Sequence, residues 1–411
     1  MRILFAVSDY PAHYFPMVPM AWALQSAGHE VRVVCSPEEA GSVSRAGLVP
    51  VPLLDGPDML VRGRIFHYFA ALGEGADRSL GMPLHPVTGR VLEKLSDFDW
   101  PRYKRENQQR NLTAIRRSLD DTVEFARQWR PDFVLHDLMS LEGVLAAQVL
   151  GRPALCHLWG PVGPAEDEPG ATLVPQDHTE SFARHGVGPM GPELVGRIID
   201  PCPPSIAAPF TGERLPVRYV PYNGPGAAAA AGLGGRGRRP RICVIWGNSL
   251  AGLLGPRSFL VPRIAAALGG LDAEVLLACD PAALTDEERA VLPGNVRVLG
   301  YAPLGLLLPT CDAVVHHGGA GGGMTAAAVG VPQLALPFTV EQSVNARRMA
   351  RSGAALALDG RTADEAAIRA AVESLLDAPG HRAAAAALSA EIADRPSPAE
   401  LARELLAAAA V

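Results

Sequence analysis

His316-His317-Gly318-Gly319-Ala320-Gly321-Gly322-Gly323 is the stretch of the chain whose residue types most directly suggest chemistry. It follows the apolar run Ala313-Val314-Val315, which reads as a strand, and Met324 opens an apolar stretch that reads as a helix. A turn between strand and helix aims unpaired backbone N–H groups and the positive helix end at one point. Without side chains a phosphate oxygen can reach the main chain, and the His317 ring adds a donor. The stretch therefore fits a diphosphate. Glycines alone would equally serve a tightly packed turn; the neighbouring histidine and the strand-to-helix setting favour the anion. A dinucleotide fingerprint would need its glycines after the first strand, where residues 8–15 contain none, and no Walker lysine follows Gly323.

A second loop, Phe338-Thr339-Val340-Glu341-Gln342, follows the apolar run 333–336 and precedes a helix that Gly353 ends. Carboxyl ends of neighbouring parallel strands converge on one crevice, so Glu341 and Gln342 are expected to hydrogen-bond sugar hydroxyls beside the diphosphate. The competing reading is a helix cap, for which an acidic residue near a helix start is favourable. Two other motifs are set aside. Asp97-Phe98-Asp99 superficially resembles a metal-binding carboxylate pair but precedes Trp100-Pro101 in an expected irregular stretch, and reads as a solvated turn. Gly247-Asn248-Ser249-Leu250-Ala251-Gly252 has the wrong spacing for a hydrolase nucleophile elbow.

The elements that must position these residues alternate strand and helix. Residues 2–7 and 30–35 are apolar and flank an irregular run 8–15 and a helix 16–27, which Gly28 stops; Pro16 and Pro19 fit only its first turn. A charged amphipathic helix is expected over 112–130, then a strand over 133–136 that leaves Asp137 at its carboxyl end. Residues 158–209 lack periodicity and are expected to form a long, mobile, surface-exposed connection. Strands restart at 241–246, 273–278, 296–299 and 313–316, with a helix at 261–268. The fold class is α/β with parallel sheets. The expected division is 1–223, an alanine- and glycine-rich linker over 224–240, a second domain over 241–382 and a helical segment over 383–411 that needs a partner for its apolar face.

With 411 residues, two domains are the natural count. Hydrophobic residues at 48% against 19% charged describe a globular chain, and a net charge of −6 without a basic stripe argues against nucleic acid. Six isolated cysteines (Cys35, Cys156, Cys202, Cys243, Cys279, Cys311) read as reduced core residues, not as metal or redox pairs. The apolar run at residues 3–7 is too short for a signal or a span, so a cytoplasmic protein without membrane insertion is expected.

In order and spacing, Pro11-Ala12-His13-Tyr14-Phe15-Pro16-Met17-Val18-Pro19 with Gly28-His29-Glu30-Val31, Tyr219-Val220-Pro221-Tyr222-Asn223-Gly224-Pro225, the 316–321 turn and Gly330-Val331-Pro332-Gln333 resemble the family 1 glycosyltransferases. The resemblance is to the actinobacterial branch that decorates polyketide and macrolide antibiotics, and it covers nearly the whole chain. It implies the GT-B fold: two Rossmann-like domains with a cleft between them, the first binding acceptor, the second a nucleotide-sugar donor, the last helix crossing back to the first. It implies an inverting, metal-independent hexosyltransferase with a TDP- or UDP-sugar as co-substrate, TDP-deoxysugar favoured, and no other cofactor. By similarity His13 is the base that deprotonates the acceptor hydroxyl, and Asp137 the carboxylate that orients it. On the donor side the resemblance places Tyr301, Ala302 and Pro303 near the base, Asn248 and Ser249 near the phosphates, and His317, Gly318, Gly319, Ala320, Gly321 and Gly322 on the diphosphate. Gly322 stands where the family commonly has a hydroxyl residue, and Glu341 where it often has Asp.

Phe66, Tyr68, Phe69, Met82 and Trp159 are expected to line an apolar acceptor pocket, although aromatic residues are more often core. Some relatives depend on a cytochrome-P450-like auxiliary protein, so such a helper, or a homodimer, belongs among the expected partners. Alternatives carried forward are C-glycosylation of an aromatic polyketide, a nucleotide-sugar epimerase or hydrolase, and a non-catalytic nucleotide-sugar binding protein of the same fold.

Overall fold

The structure is a computed structural model that describes residues 1–409 except 57, 74, 76, 167, 169, 172 and 225–236, with side chains undescribed at 192, 248, 408 and 409. Most of the expected linker therefore lies outside the described residues. The chain forms two compact units that do not follow its linear order. The first comprises Met1–Pro57, Trp100–Pro225 and Ile392–Val411; the second comprises Asp58–Asp99 and Gly226–Glu391. Segment 58–99, expected with the first domain, thus groups with the second. Its helix Met59–Leu72 lies against the helix Asn248–Leu254, where a Cβ on Gly63 would come within 2.5 Å of Leu253 and where Arg64 Nε donates to the Gly252 carbonyl at 2.6 Å.

The first unit holds seven strands: β1 (Arg2–Ala6), β2 (Glu30–Cys35), β3 (Val49–Pro52), β4 (Phe133–His136), β5 (Ala154–His157), β6 (Arg197–Asp200) and β7 (Glu213–Pro216). They are all parallel, in the order β3-β2-β1-β4-β5-β6-β7. The second unit holds β8 (Arg241–Trp246), β9 (Glu274–Cys279), β10 (Val296–Val298), β11 (Ala313–His316), β12 (Gln333–Ala335) and β13 (Ala355–Ala357), parallel in the order β10-β9-β8-β11-β12-β13. Both sheets are the doubly wound type that near-continuous apolar strands specify, because helices cover both faces. The order reverses between β1 and β4 in one sheet and between β8 and β11 in the other. Each reversal opens a crevice beyond the strands' carboxyl ends.

Several expectations need correction. Residues 8–15 are not irregular: Pro11–Tyr14 is a helical turn, started by a proline whose fixed φ suits the first helical position. The charged helix runs Trp100–Trp129, with Pro101 tolerated in its first turn; its buried residues begin only at Ser118, which hid the earlier start from a reading of apolar periodicity. Residues 158–209 are not an exposed connection, since Trp159, Val162, Phe182, Ile198 and Ile199 are buried and β6 lies within them. The helix Pro398–Ala409 sets Leu401, Ala402 and Leu405 among Met17, Met20, Ala21 and Leu24 in the first unit's core. Full burial of a leucine is worth about 1.5–3 kcal/mol.

Candidate active site

At the β1/β4 switch point, the chain leaves β1 through Val7 and Ser8 and leaves β4 directly into Asp137. Asp137 is inaccessible to solvent. Its Oδ1 accepts the Met139 N–H at 2.8 Å, and its Oδ2 accepts both the Ser8 N–H at 2.6 Å and the Ser8 hydroxyl at 2.9 Å. The same hydroxyl lies 2.8 Å from His13 Nδ1. Burial pushes the Asp137 carboxyl above its ordinary range, while these donors pull it back. Ser8 thus stands between Asp137, the carboxylate expected to orient the base, and the ring of His13. Nothing in the sequence pattern singled out Ser8, because a serine after a strand is an ordinary loop former.

His13 is held on the helical turn Pro11–Tyr14, with its ring stacked on Trp159 at 4.0 Å between centroids and 10° between planes, and tilted against Tyr10 at 4.9 Å. It is 6% exposed, and burial lowers its pKa to about 3. The imidazole is therefore neutral near pH 7, the form in which a ring nitrogen can take a proton. Trp159, expected in an acceptor pocket, is instead a fully buried platform for this ring.

At the β8/β11 switch point, His316 ends β11, and its ring is locked inward: Nδ1 accepts the Gly318 N–H at 3.0 Å and Nε2 donates to Gln333 Oε1 at 2.8 Å. Gly318 has φ +85°, and a Cβ there would sit 3.0 Å from the Gln342 carbonyl oxygen. Its N–H, expected on the diphosphate, is committed to His316, and Asn345 Nδ2 donates to its carbonyl at 3.3 Å. Gly319 begins the helix Ala320–Val329, which no side chain caps. That leaves Ala320, Gly321 and Gly322 in the first turn of an uncapped helix, the place where partial positive charge gathers. The half-buried His317 sits edge-on to Trp246 at 5.6 Å, and its Nδ1 is buried with no partner. Burial brings its pKa down to about 4, so this ring too is neutral.

The remaining expected residues separate. Ser249 lies in the first turn of the helix after β8, beside the same switch point; the side chain of Asn248 is outside the described residues. Tyr301 is 68% exposed, and Pro303 caps the helix Leu304–Leu307, with Ala302 half-buried between them. Glu341 is in the first turn of Val340–Arg351. Gln342, expected to face sugar, closes a capping box with Thr339: its Oε1 accepts the N–H groups of Phe338 at 2.9 Å and Thr339 at 3.3 Å, leaving its amide NH₂ for a ligand. Tyr68 is corrected to a core residue, 5% exposed, with its hydroxyl on the carbonyls of Leu95 and Phe98 at 3.2 Å each. Phe66 and Phe69 stay exposed on the same helix, and Met82 is half-buried beside Arg78. These four belong to the second unit and Trp159 to the first. No cluster of three or more potential metal-ligating side chains, and no helix long and apolar enough to cross a membrane, occurs among the described residues.

Comparison with known proteins matches residues 105–247 to the erythromycin biosynthesis protein CIII-like N-terminal domain and residues 262–408 to the C-terminal domain of the same family. Aklavinone 7-β-L-rhodosaminyltransferase of Streptomyces galilaeus is 35% identical across 98% of this chain and 94% of its own. Among solved structures, spinosyn forosaminyltransferase SpnP aligns over the full length of both chains with a TM-score of 0.75 and 31% identity. Spinosyn rhamnosyltransferase SpnG complexed with thymidine diphosphate aligns over 98% of this chain and all of its own, with a TM-score of 0.73 and 31% identity. Two doubly wound parallel sheets, a glycine-rich uncapped helix in one and a buried histidine in the other now meet a full-length likeness, and the chain belongs to the erythromycin biosynthesis protein CIII-like family of GT-B antibiotic glycosyltransferases.

Proposed function

We propose that this glycosyltransferase moves a deoxysugar from a TDP-sugar to a hydroxyl of a polyketide-type aglycone, with inversion and without a metal. The observation that carries the reading is His317 Nδ1, a buried polar atom without a partner at the start of an uncapped glycine-rich helix. Leaving such an atom unpaired costs about 1–3 kcal/mol, which an incoming phosphate oxygen would offset. The helix start and His317 meet the charge that develops on the departing diphosphate, the task a metal ion performs elsewhere. The preference for TDP rests on the thymidine diphosphate bound by SpnG, and the aglycone class on relatives such as the aklavinone enzyme.

The base is His13. An alcohol is a weak nucleophile near pH 7, and a neutral imidazole on the helical turn after β1 removes its proton as oxygen attacks the anomeric carbon. Attack and departure on opposite faces invert the configuration. Phe66 and Phe69, both exposed, supply apolar surface for the aglycone, and Glu341 an acceptor for sugar hydroxyls.

The test is transfer from TDP-deoxysugars to a panel of polyketide aglycones, with the anomeric configuration of the product read by NMR coupling constants. Inversion in the wild type together with loss of transfer in His13→Ala supports the reading. A retained configuration, or undiminished transfer by His13→Ala, overturns it.

A further inference from the structure

We propose that Ser8 is the positioning residue through which Asp137 sets the tautomer of His13. The inference rests on His13 being the base, and adds how its reactive nitrogen is chosen.

The Ser8 hydroxyl has a single proton and two polar neighbours, Asp137 Oδ2 at 2.9 Å and His13 Nδ1 at 2.8 Å. Backbone N–H groups of Ser8 and Met139 donate to the two carboxylate oxygens, so Oδ2 acts as an acceptor here and the hydroxyl proton points to it. The Ser8 main chain is anchored at the same place, because its own N–H donates to the same oxygen at 2.6 Å. The carboxylate is fixed in turn by the Met139 N–H on its other oxygen. With its proton committed, the hydroxyl turns a lone pair toward Nδ1, and only a protonated Nδ1 makes a hydrogen bond there. A neutral imidazole protonated on Nδ1 carries its free lone pair on Nε2. Trp159 stacks flat on the ring and fixes its plane, so the lone pair has one direction. If the proton sat on Nε2 instead, Nδ1 and the serine oxygen would set two lone pairs against each other, and the nitrogen away from Ser8 could not act as a base.

Ser8 and Asp137 follow the two strands that flank the sheet reversal, β1 and β4, whose register pairs Ala6 with His136. The relay therefore ties the geometry of the base to the centre of the sheet, while His13 itself stands on a short helical turn.

The experiment uses the full chain with ¹⁵N-labelled histidine at pH 7, without substrate. In the wild type the His13 ring is expected to show a pyrrole-like Nδ1 and a pyridine-like Nε2. Ser8→Ala should move these shifts toward a mixture or the opposite assignment, and Ser8→Thr, which keeps the hydroxyl, should restore them. Transfer should follow: Ser8→Ala loses about 10- to 100-fold in kcat with little change in the aglycone KM, less than removing the base itself. Should Ser8→Ala fail to fold, Asp137→Asn serves, because losing the carboxylate lets the hydroxyl turn its proton to Nδ1 and drive the ring's own proton to Nε2. Unchanged ring shifts in either folded variant overturn the role of Ser8, even if His13→Ala abolishes transfer. Full transfer by His13→Ala would instead remove the functional reading on which the inference rests.

Discussion

The two units build the same local structure at their switch points and finish it in opposite ways. In the first, β4 leads into a ten-residue helix, Leu141–Leu150, that ends in the left-handed Gly151; in the second, β11 leads into a ten-residue helix, Ala320–Val329, that ends in the left-handed Gly330. Each strand ends in a buried histidine whose ring folds back on nearby backbone: His136 Nδ1 donates to the Asp137 carbonyl, and His316 Nδ1 accepts the Gly318 N–H. The helix starts differ. Ser140 caps the first helix through the Gly143 N–H at 3.2 Å, whereas Gly319 offers the second no side chain at all. One switch point caps its helix with a side chain, as befits the base proposed beside it; the other withholds the cap, as befits the diphosphate proposed there. Topology fixes where chemistry can happen, and one or two residues at the strand ends decide which chemistry.

The largest test of that contrast is His13→Ala, expected to lower kcat by about 10²–10⁴-fold while thymidine diphosphate binds as before. Its counterpart in the second unit is His317→Ala, expected to weaken thymidine diphosphate by about 10-fold or more, since a hydrogen bond to a charged group is worth roughly 1.5–3 kcal/mol. Calorimetric titration of both variants sharpens the comparison, and equal effects on binding would break it.

Acid should destabilise both units. In the first, His13, His136 and His157 have pKa values pulled down by burial to about 3, about 4 and about 4; in the second His67, His316 and His317 are each at about 4. A histidine that is neutral when folded and protonates near 6.5 when unfolded gives stability that is whole above pH 6.5 and falls until the pH reaches its folded pKa. Glu39, raised by burial to about 7, and the carboxyls of Asp137 and Asp200, also raised by burial, act in the opposite direction, but they are three groups against six. Melting temperature should therefore drop steadily from pH 6.5 to pH 4, and a flat profile would show that these rings are not buried neutral. The smallest effect belongs to the caps. Ser140→Ala should cost about 1 kcal/mol, or roughly 2–4 °C in a melt.

Much of this was legible in the chain itself. The glycine turn, the αL stop at Gly28 and the apolar strands on either side of them declare themselves by composition and period. Short strands did not. Val49–Pro52 and Glu213–Pro216 carry prolines that argue against a strand, and both are sheet edges, where a missing N–H is tolerated. The capping role of Gln342 was hidden because a capping glutamine and a ligand-facing one look alike until the Thr339 hydroxyl is seen to accept from Gln342 N–H at 3.3 Å. Ser8 was invisible for a deeper reason: its importance lies in meeting residue 137 across two adjacent strands, and no local pattern encodes a meeting. The grouping of 58–99 with the second unit is of the same kind.

Vectorial synthesis meets an obstacle in the first unit. Val18–Ser26 leaves the ribosome well before Leu401 and Leu405, which cover its apolar side, and Arg395 must still reach the carbonyls of Asp200 and Val217. The nascent sheet of the first unit waits, partly uncovered, until the second unit's strands have been made. Chaperone demand during expression, and sensitivity to polar substitutions at Leu401 or Leu405, should therefore register first in the unit that holds His13.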